Sequence, residues 1–411
     1  MSQLKNRAIC LSAILRHLAL AAVMCVLCTL AIANPPCPSD LDGSGEVDGG
    51  DMAIVLLDWG ACPEDPPSVT SVSPSYGPTE GGTTITITGT ALSYARRVTI
   101  GGVSATSVVV VNESTVTAVT PPGVEGAANI VVTTVGGSTA SLSGAFTYSW
   151  FTPLEQSPNT ADVPDPTLRA AIAATGKPWR VRDLHTGIEM VLIPQGTFTM
   201  GCSPSDTYGC IPDENPPHQV ALTNAFYLSR TEVTQAQWLA KMGSNPSYYT
   251  GDTNRPVEMV SWNDVQQFCV ATGLRLATEA EWEYAYRAGT ATAFHGMPGY
   301  PSGTNNDSKL GAIAWYSANS GNQSHAVAGK AANGFGLYDM AGNLWEFCQD
   351  RYGEYAPGAQ VNPIGPESGY SRVVRGGGLQ TTSQCPRASY RVMYDPAARG
   401  ALVGFRVARN P

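Results

Sequence analysis

From residue 68 to residue 149 the chain nearly loses its charges and becomes a series of short β-branched runs. Thr83-Thr-Ile-Thr-Ile-Thr88 alternates with period two, the spacing of a strand with one buried face. Arg97-Val-Thr-Ile100 stops at Gly101-Gly102, and Ala128 to Thr133 stops before Gly136-Gly137. Ser107–Val111 and Ser114–Ala118 lie between them. Short strands separated by Gly, Pro and Asn predict a β-sandwich. The stretch holds no His and no Cys, so catalysis is not expected there.

Such a sandwich accounts for a minority of 411 residues, and one core does not grow to that size. The composition changes again near Trp179. Every Trp except Trp59 and Trp150 lies from there onward. Between the two regions, 150–177 reads as a Pro-punctuated linker with one short helix, Pro166 to Ala174. Charged residues are only 14%, against Gly 43 and Pro 30, which favours loop-rich and β-rich modules over helical bundles. A net charge of −9 supplies no basic surface, which argues against nucleic acid.

The N-terminus sets the expected compartment. Lys5, Arg7 and Arg16 precede an apolar run from Leu18 to Ile32, and Ala31-Ile32-Ala33 supplies a small–x–small cleavage pattern. The run is short for a span of about 20 residues, so 1–33 reads as a signal peptide rather than a retained membrane helix. No later segment is apolar enough to cross a membrane, and the mature chain is expected to be secreted or at the cell surface. Cleavage would remove Cys10, Cys25 and Cys28 from the ten cysteines and leave seven, so at least one thiol has no partner within the chain.

Residues 37–62 form a small unit between Cys37 and Cys62. Asp40, Asp42, Ser44, Asp48 and Asp51 fall at positions 1, 3, 5, 9 and 12 of a loop. Glu46 takes position 7, and Gly45 takes position 6, where the chain must turn sharply. That is the spacing of an EF-hand-type calcium loop. With Asp at position 12 and Met52–Trp59 as an exiting helix, the unit resembles a single dockerin-type repeat. The resemblance implies calcium and a possible cohesin-like partner. A Cys37–Cys62 disulfide would add ~3 kcal/mol to so small a unit. The sandwich segment, with Val72-Ser-Pro74, Gly81-Gly82, Thr120-Pro-Pro-Gly123 and Phe146-Thr-Tyr148, resembles the IPT/TIG domain, a spacer or adhesive module.

In the C-terminal region, Glu189–Ile193 and Gly196–Gly201 read as two strands about a turn. Thr234–Lys241 and Asn263–Thr272 read as helices, the second stopped by Gly273. Thr278-Glu-Ala-Glu281 is a capping box that starts a helix over Glu279 to Arg287. Cys202 and Cys210 are close enough in sequence to close a small surface loop.

Several blocks follow in order: Met190–Gly201, Pro217-His218-Gln-Val220, Glu232-Val-Thr234, Pro256-Val257 with Val260-Ser-Trp262, Leu274–Tyr284, Gly334–Glu346, Arg372–Gly377 and Gly404-Phe-Arg406. Together they resemble the formylglycine-generating enzyme (sulfatase-modifying factor) family over about residues 178–411. The whole chain is thus expected to be multidomain. An Ig-like β-sandwich would be followed by an α+β, C-type-lectin-like sulfatase-modifying-factor fold low in regular secondary structure.

The resemblance implies a calcium ion held by the Asp339 and Glu346 carboxylates and the Gly342 and Leu344 carbonyls, hard oxygens that suit Ca²⁺. It also implies where oxidase chemistry would sit. The family's oxidases hold copper(I) with two cysteines after an Arg-Gly-Gly-Ser block, and soft thiolates suit that ion. Here the block reads Arg375-Gly-Gly-Gly378, and the first cysteine position is Thr381. Cys385 is the only candidate catalytic thiol, one residue out of register. The resemblance further implies a Cys348–Cys385 disulfide, as in non-oxidase members, and leaves Cys269 as a buried free thiol.

No His spacing fits zinc, and no Gly-x-Ser-x-Gly elbow occurs. The expectation is an exported, calcium-binding module or scaffold for a protein or glycan ligand. The alternative is a copper-dependent oxidase that converts a sulfatase cysteine to formylglycine.

Overall fold

A computed structural model describes Asp48, residues 66–203, Asp206 and residues 209–411. The signal peptide and the calcium loop with Asp40, Asp42, Ser44, Glu46 and Asp51 therefore lie outside the described residues, apart from an exposed Asp48. The chain divides into two compact units, one built on Gly81–Gly123 and Ala127–Thr147, the other running on from Tyr148 to Pro411.

The first unit is a two-sheet sandwich. One sheet orders its strands Ser68–Ser73, Thr84–Thr90, Thr115–Val119, Thr106–Asn112. The other carries Thr139–Tyr148, Gly126–Thr134, Ala95–Ile100 and Val103–Ser104 in that order. Alternation decides which side chains face inward. Ile85 and Ile87 are fully buried while Thr84 and Thr90 are exposed. Val98, Val116, Ile130, Val132 and Phe146 meet them in the core, each with no exposed surface.

The second unit has short elements joined by long loops. Its largest sheet orders Phe151–Glu155, Arg180–Asp183, Glu189–Ile193, Phe226–Ser229, Val407–Arg409, Arg275–Leu276. A second sheet orders Arg391–Tyr394, Arg372–Arg375, Trp345–Arg351, Val403–Gly404. Among the described residues four α-helices accompany them: α1 (Pro166–Ala174), α2 (Gln235–Met242), α3 (Trp262–Thr272) and α4 (Glu279–Arg287). The segment read as a linker is thus built into this unit. Phe151–Glu155 pairs with Arg180–Asp183, and α1 buries Ile172.

Helix ends follow local chemistry. Thr234, Ser261 and Thr278 each close a reciprocal capping box on α2, α3 and α4. Gly273 ends α3 at φ 69°, a left-handed conformation that favours glycine. One face of α4 is polar yet buried. Glu283 ion-pairs Arg287 at 2.8 Å and also Arg375, while Glu279 accepts both forks of Arg391 at 2.7–2.8 Å. Every one of these groups is at most 4% exposed at its side chain, so each charge depends on its partner.

Candidate functional site

The turn from Asp339 to Glu346 is held in an uncommon backbone conformation. Asp339 (φ 54°), Gly342 (φ 80°) and Asn343 (φ 58°) are all left-handed. A Cβ on Gly342 would lie 2.3 Å from the Trp315 carbonyl oxygen, because Ala341–Gly342 pairs in parallel with Ala314–Trp315. Non-glycine residues in this region concentrate where a site imposes them.

Side chains from distant elements meet at this turn. Glu232 accepts from the Leu344 amide at 3.1 Å and from Asn343 Nδ2 at 2.8 Å. Asn343 Oδ1 accepts from the His325 amide at 3.0 Å. Glu346 accepts from Trp282 Nε1 and from Arg406 Nε and Nη2, all at 2.7 Å. Asp339 Oδ2 accepts from the Ala328 amide at 2.6 Å, whereas its buried Oδ1 has no hydrogen-bond partner.

Three buried carboxyls, Glu232, Asp339 and Glu346, therefore face one buried guanidinium, Arg406. Burial pushes Asp339 up to about 6, against the Ala328 amide and Arg406, which pull it down. Burial, with the neighbouring Asp339 and Glu346 charges, pushes Glu232 well above the usual carboxylate range. Among the described residues no three His, Cys, Asp or Glu side chains converge as a metal site. The orphaned Asp339 oxygen and the excess of buried carboxyls over guanidinium groups nevertheless fit a cation, provided the Gly342 and Leu344 carbonyls join it. Glu232 and Arg406 were not singled out from sequence, although both stand inside blocks that were.

The copper positions do not fit. Thr381 Oγ donates to the Gly378 carbonyl at 2.8 Å and accepts from the Gly378 amide at 3.0 Å. Its hydroxyl is closed on its own turn. Cys385 is half-buried, hydrogen-bonded among Tyr390, Thr382 and Thr381, and burial raises its thiol. A protonated thiol among hydroxyls does not offer the soft pair that Cu(I) takes.

The expected Cys348–Cys385 disulfide is not formed; both thiols are free. Cys348 points into the core from the strand Trp345–Arg351, with no exposed surface, and burial pushes its thiol well up. Cys385 sits instead in the loop with Thr381. Cys202–Cys210 is bonded, and Cys269 is a buried free thiol, pushed up to about 12 by burial.

Partly exposed aromatic rings flank Thr381 and Cys385. A Cβ on Gly378 would lie 3.3 Å from Trp345 Cδ1, and Trp345 stands 6.1 Å from Tyr390. The Ser317 amide bonds the Thr381 carbonyl, which ties in the segment after Trp315. There Trp315 stacks on His325 at 3.8 Å, and Lys330 lies 3.8 Å over the Trp315 ring. Stacking and cation–π contacts thus hold these side chains to one another. His295 is fully buried and lowered to about 4, so it is neutral and unsuited to acid–base work.

Comparison with known proteins agrees with these blocks. The Sulfatase-modifying factor enzyme 1-like domain matches residues 180–411, and the IPT/TIG domain matches 67–148. The chain is 31% identical over 251 residues to the serine/threonine-protein kinase pkn1 of Chlamydia pneumoniae, covering 54% of this chain but only 38% of that one. It is 30% identical over 241 residues to the chaperone protein LppX of Paenibacillus barcinonensis, covering 45% of this chain and 80% of that one. It is 35% identical over 197 residues to the formylglycine-generating enzyme of Thermomonospora curvata, covering 44% and 63%. With more than half of its length inside that domain, the chain belongs to the sulfatase-modifying factor enzyme 1-like family.

Proposed function

We propose that this protein is an exported, calcium-binding member of the family whose C-terminal domain, in a C-type-lectin-like form, binds a protein or glycan ligand and does not oxidise cysteine. One observation carries the reading: the Thr381 hydroxyl, in the first copper position, is spent on Gly378. Cys385 is left without a second soft ligand, since Cys269 and Cys348 are buried elsewhere. The aromatic face of Trp345, Tyr390, Trp315 and His325 is the surface a ligand would meet. One relative's name fits a use outside oxidation, that of the chaperone protein that the chain covers for 80% of its length, while another is named as a formylglycine-generating enzyme.

Calcium would be held by Asp339 and Glu346 with the Gly342 and Leu344 carbonyls, offsetting the surplus of buried carboxylates. A second ion would occupy the Asp40–Asp51 loop, through which a cohesin-like partner could attach. Copper(I) competition tests the reading. The purified chain should surrender Cu(I) to a thiolate competitor. Retention of one tightly held ion per chain would restore the oxidase alternative.

A further inference from the structure

The second unit carries a groove of about 990 Å³ that shares no residue with the face around Thr381 and Cys385. Specific ligand sites reach about this size. Six carboxamides line it: Gln195, Asn224, Gln266, Gln349, Asn362 and Asn410. Two of its charges cancel internally, because Arg275 forks onto Glu281 at 2.7 and 2.8 Å. Lys177, on the exposed rim, is the other charged residue in the lining. In a chain of net charge −9 this is a nearly neutral, amide-rich surface.

Several amides are already oriented. Gln266 Nε2 donates to Gln349 Oε1 at 3.3 Å, and Asn410 Oδ1 accepts from Arg275 at 2.9 Å. An amide that accepts at its oxygen still offers two N–H donors. A carboxamide matches a peptide group, donor to acceptor and acceptor to donor, so a row of them suits a main chain. A sugar ring, by contrast, commonly stacks an apolar face on an aromatic ring. The one aromatic residue in this lining, Phe226, is buried.

Two further features point to an extended peptide. The strand Gln360–Val361 ends its sheet and pairs on one side only, in parallel with His218–Leu222. Its continuation, Asn362 to Ile364, forms part of the groove wall. Val270 and Ile364, 85% and 71% exposed, supply aliphatic contact at the same place. An open strand edge running into a groove with exposed aliphatic side chains is one setting in which an extended peptide docks.

We infer that this groove binds an uncharged, extended peptide segment with aliphatic side chains, held by paired hydrogen bonds to the carboxamides. The site is independent of the ligand face proposed above. Selection of random short linear peptides displayed on phage, against the full chain, tests it. The enriched sequences should be poor in Asp, Glu, Lys and Arg. A synthetic copy should bind about tenfold more weakly to a Gln266→Leu/Gln349→Leu variant, and likewise to the exposed Asn224→Ala variant, which has less risk of misfolding. No enrichment, unaltered binding to both folded variants, or neutral oligosaccharides competing at this groove in place of peptides would each overturn the proposal.

Discussion

At the scale of single residues, the domain is distinguished by what its cysteines do not do. Cys348 and Cys385 are separate thiols, so Cys385→Ala should cost less than about 1 kcal/mol in denaturant unfolding. A disulfide there would make the loss about 2–5 kcal/mol, and non-reducing peptide mapping would show the linked pair. Glu283 is the opposite case. It serves Arg287 and Arg375 at once with no exposed surface. Glu283→Gln should destabilise the domain by about 3–5 kcal/mol, because buried Arg287 loses its counter-charge and buried Arg375 keeps only Glu279, at 3.3 Å.

Asp350 sets a pH dependence. Burial, and then the nearby Glu279 charge, pushes its carboxyl up to about 8. Between the ordinary carboxylate range and pH 8 the folded chain holds a proton that the unfolded chain has released. Stability from this group therefore falls as pH rises through that window. Between pH 6 and pH 8 the wild type should lose stability relative to Asp350→Asn. Parallel curves for the two proteins in urea would contradict it.

At the scale of elements, the helices were legible because their signals are local. Thr278 and Glu281, three residues apart, close the box that starts α4 at Glu279, where the sequence places it. Thr278→Ala should cost about 1 kcal/mol, read as a lower urea midpoint. The strand Glu189–Ile193 was legible from its apolar run for the same reason. Elements fixed by distant partners were not. Phe151–Glu155 reads as a linker until Arg180–Asp183 pairs with it, and Val407–Arg409 gains its place between Phe226–Ser229 and Arg275–Leu276 only in three dimensions. At the site, the block from Asp339 to Glu346 was legible as a turn with acids. Glu232 and Arg406 were not, because they reach it across 111 and 60 residues of chain.

At the scale of the whole molecule, the sandwich and the family domain are separate compact units, and the calcium and ligand binding proposed above would fall to the second unit and to the segment Asp40–Asp51. Adding a calcium chelator should lower the melting temperature of the chain. Asp339→Asn should remove most of the family domain's share of that shift, while Asp40→Ala should leave that share intact. A chelator with no effect on either variant or wild type would remove calcium from the account.

With Thr381 spent on Gly378 and Cys385 as a lone thiol in that loop, the family domain should not oxidise cysteine. The most direct test is mass spectrometry of a Cys-x-Pro-x-Arg peptide incubated with the full chain, Cu(I) and O₂. The cysteine thiol should come through unchanged. Conversion of that thiol to the aldehyde, lost in a Cys385→Ala variant, would show that the single cysteine suffices and would contradict it.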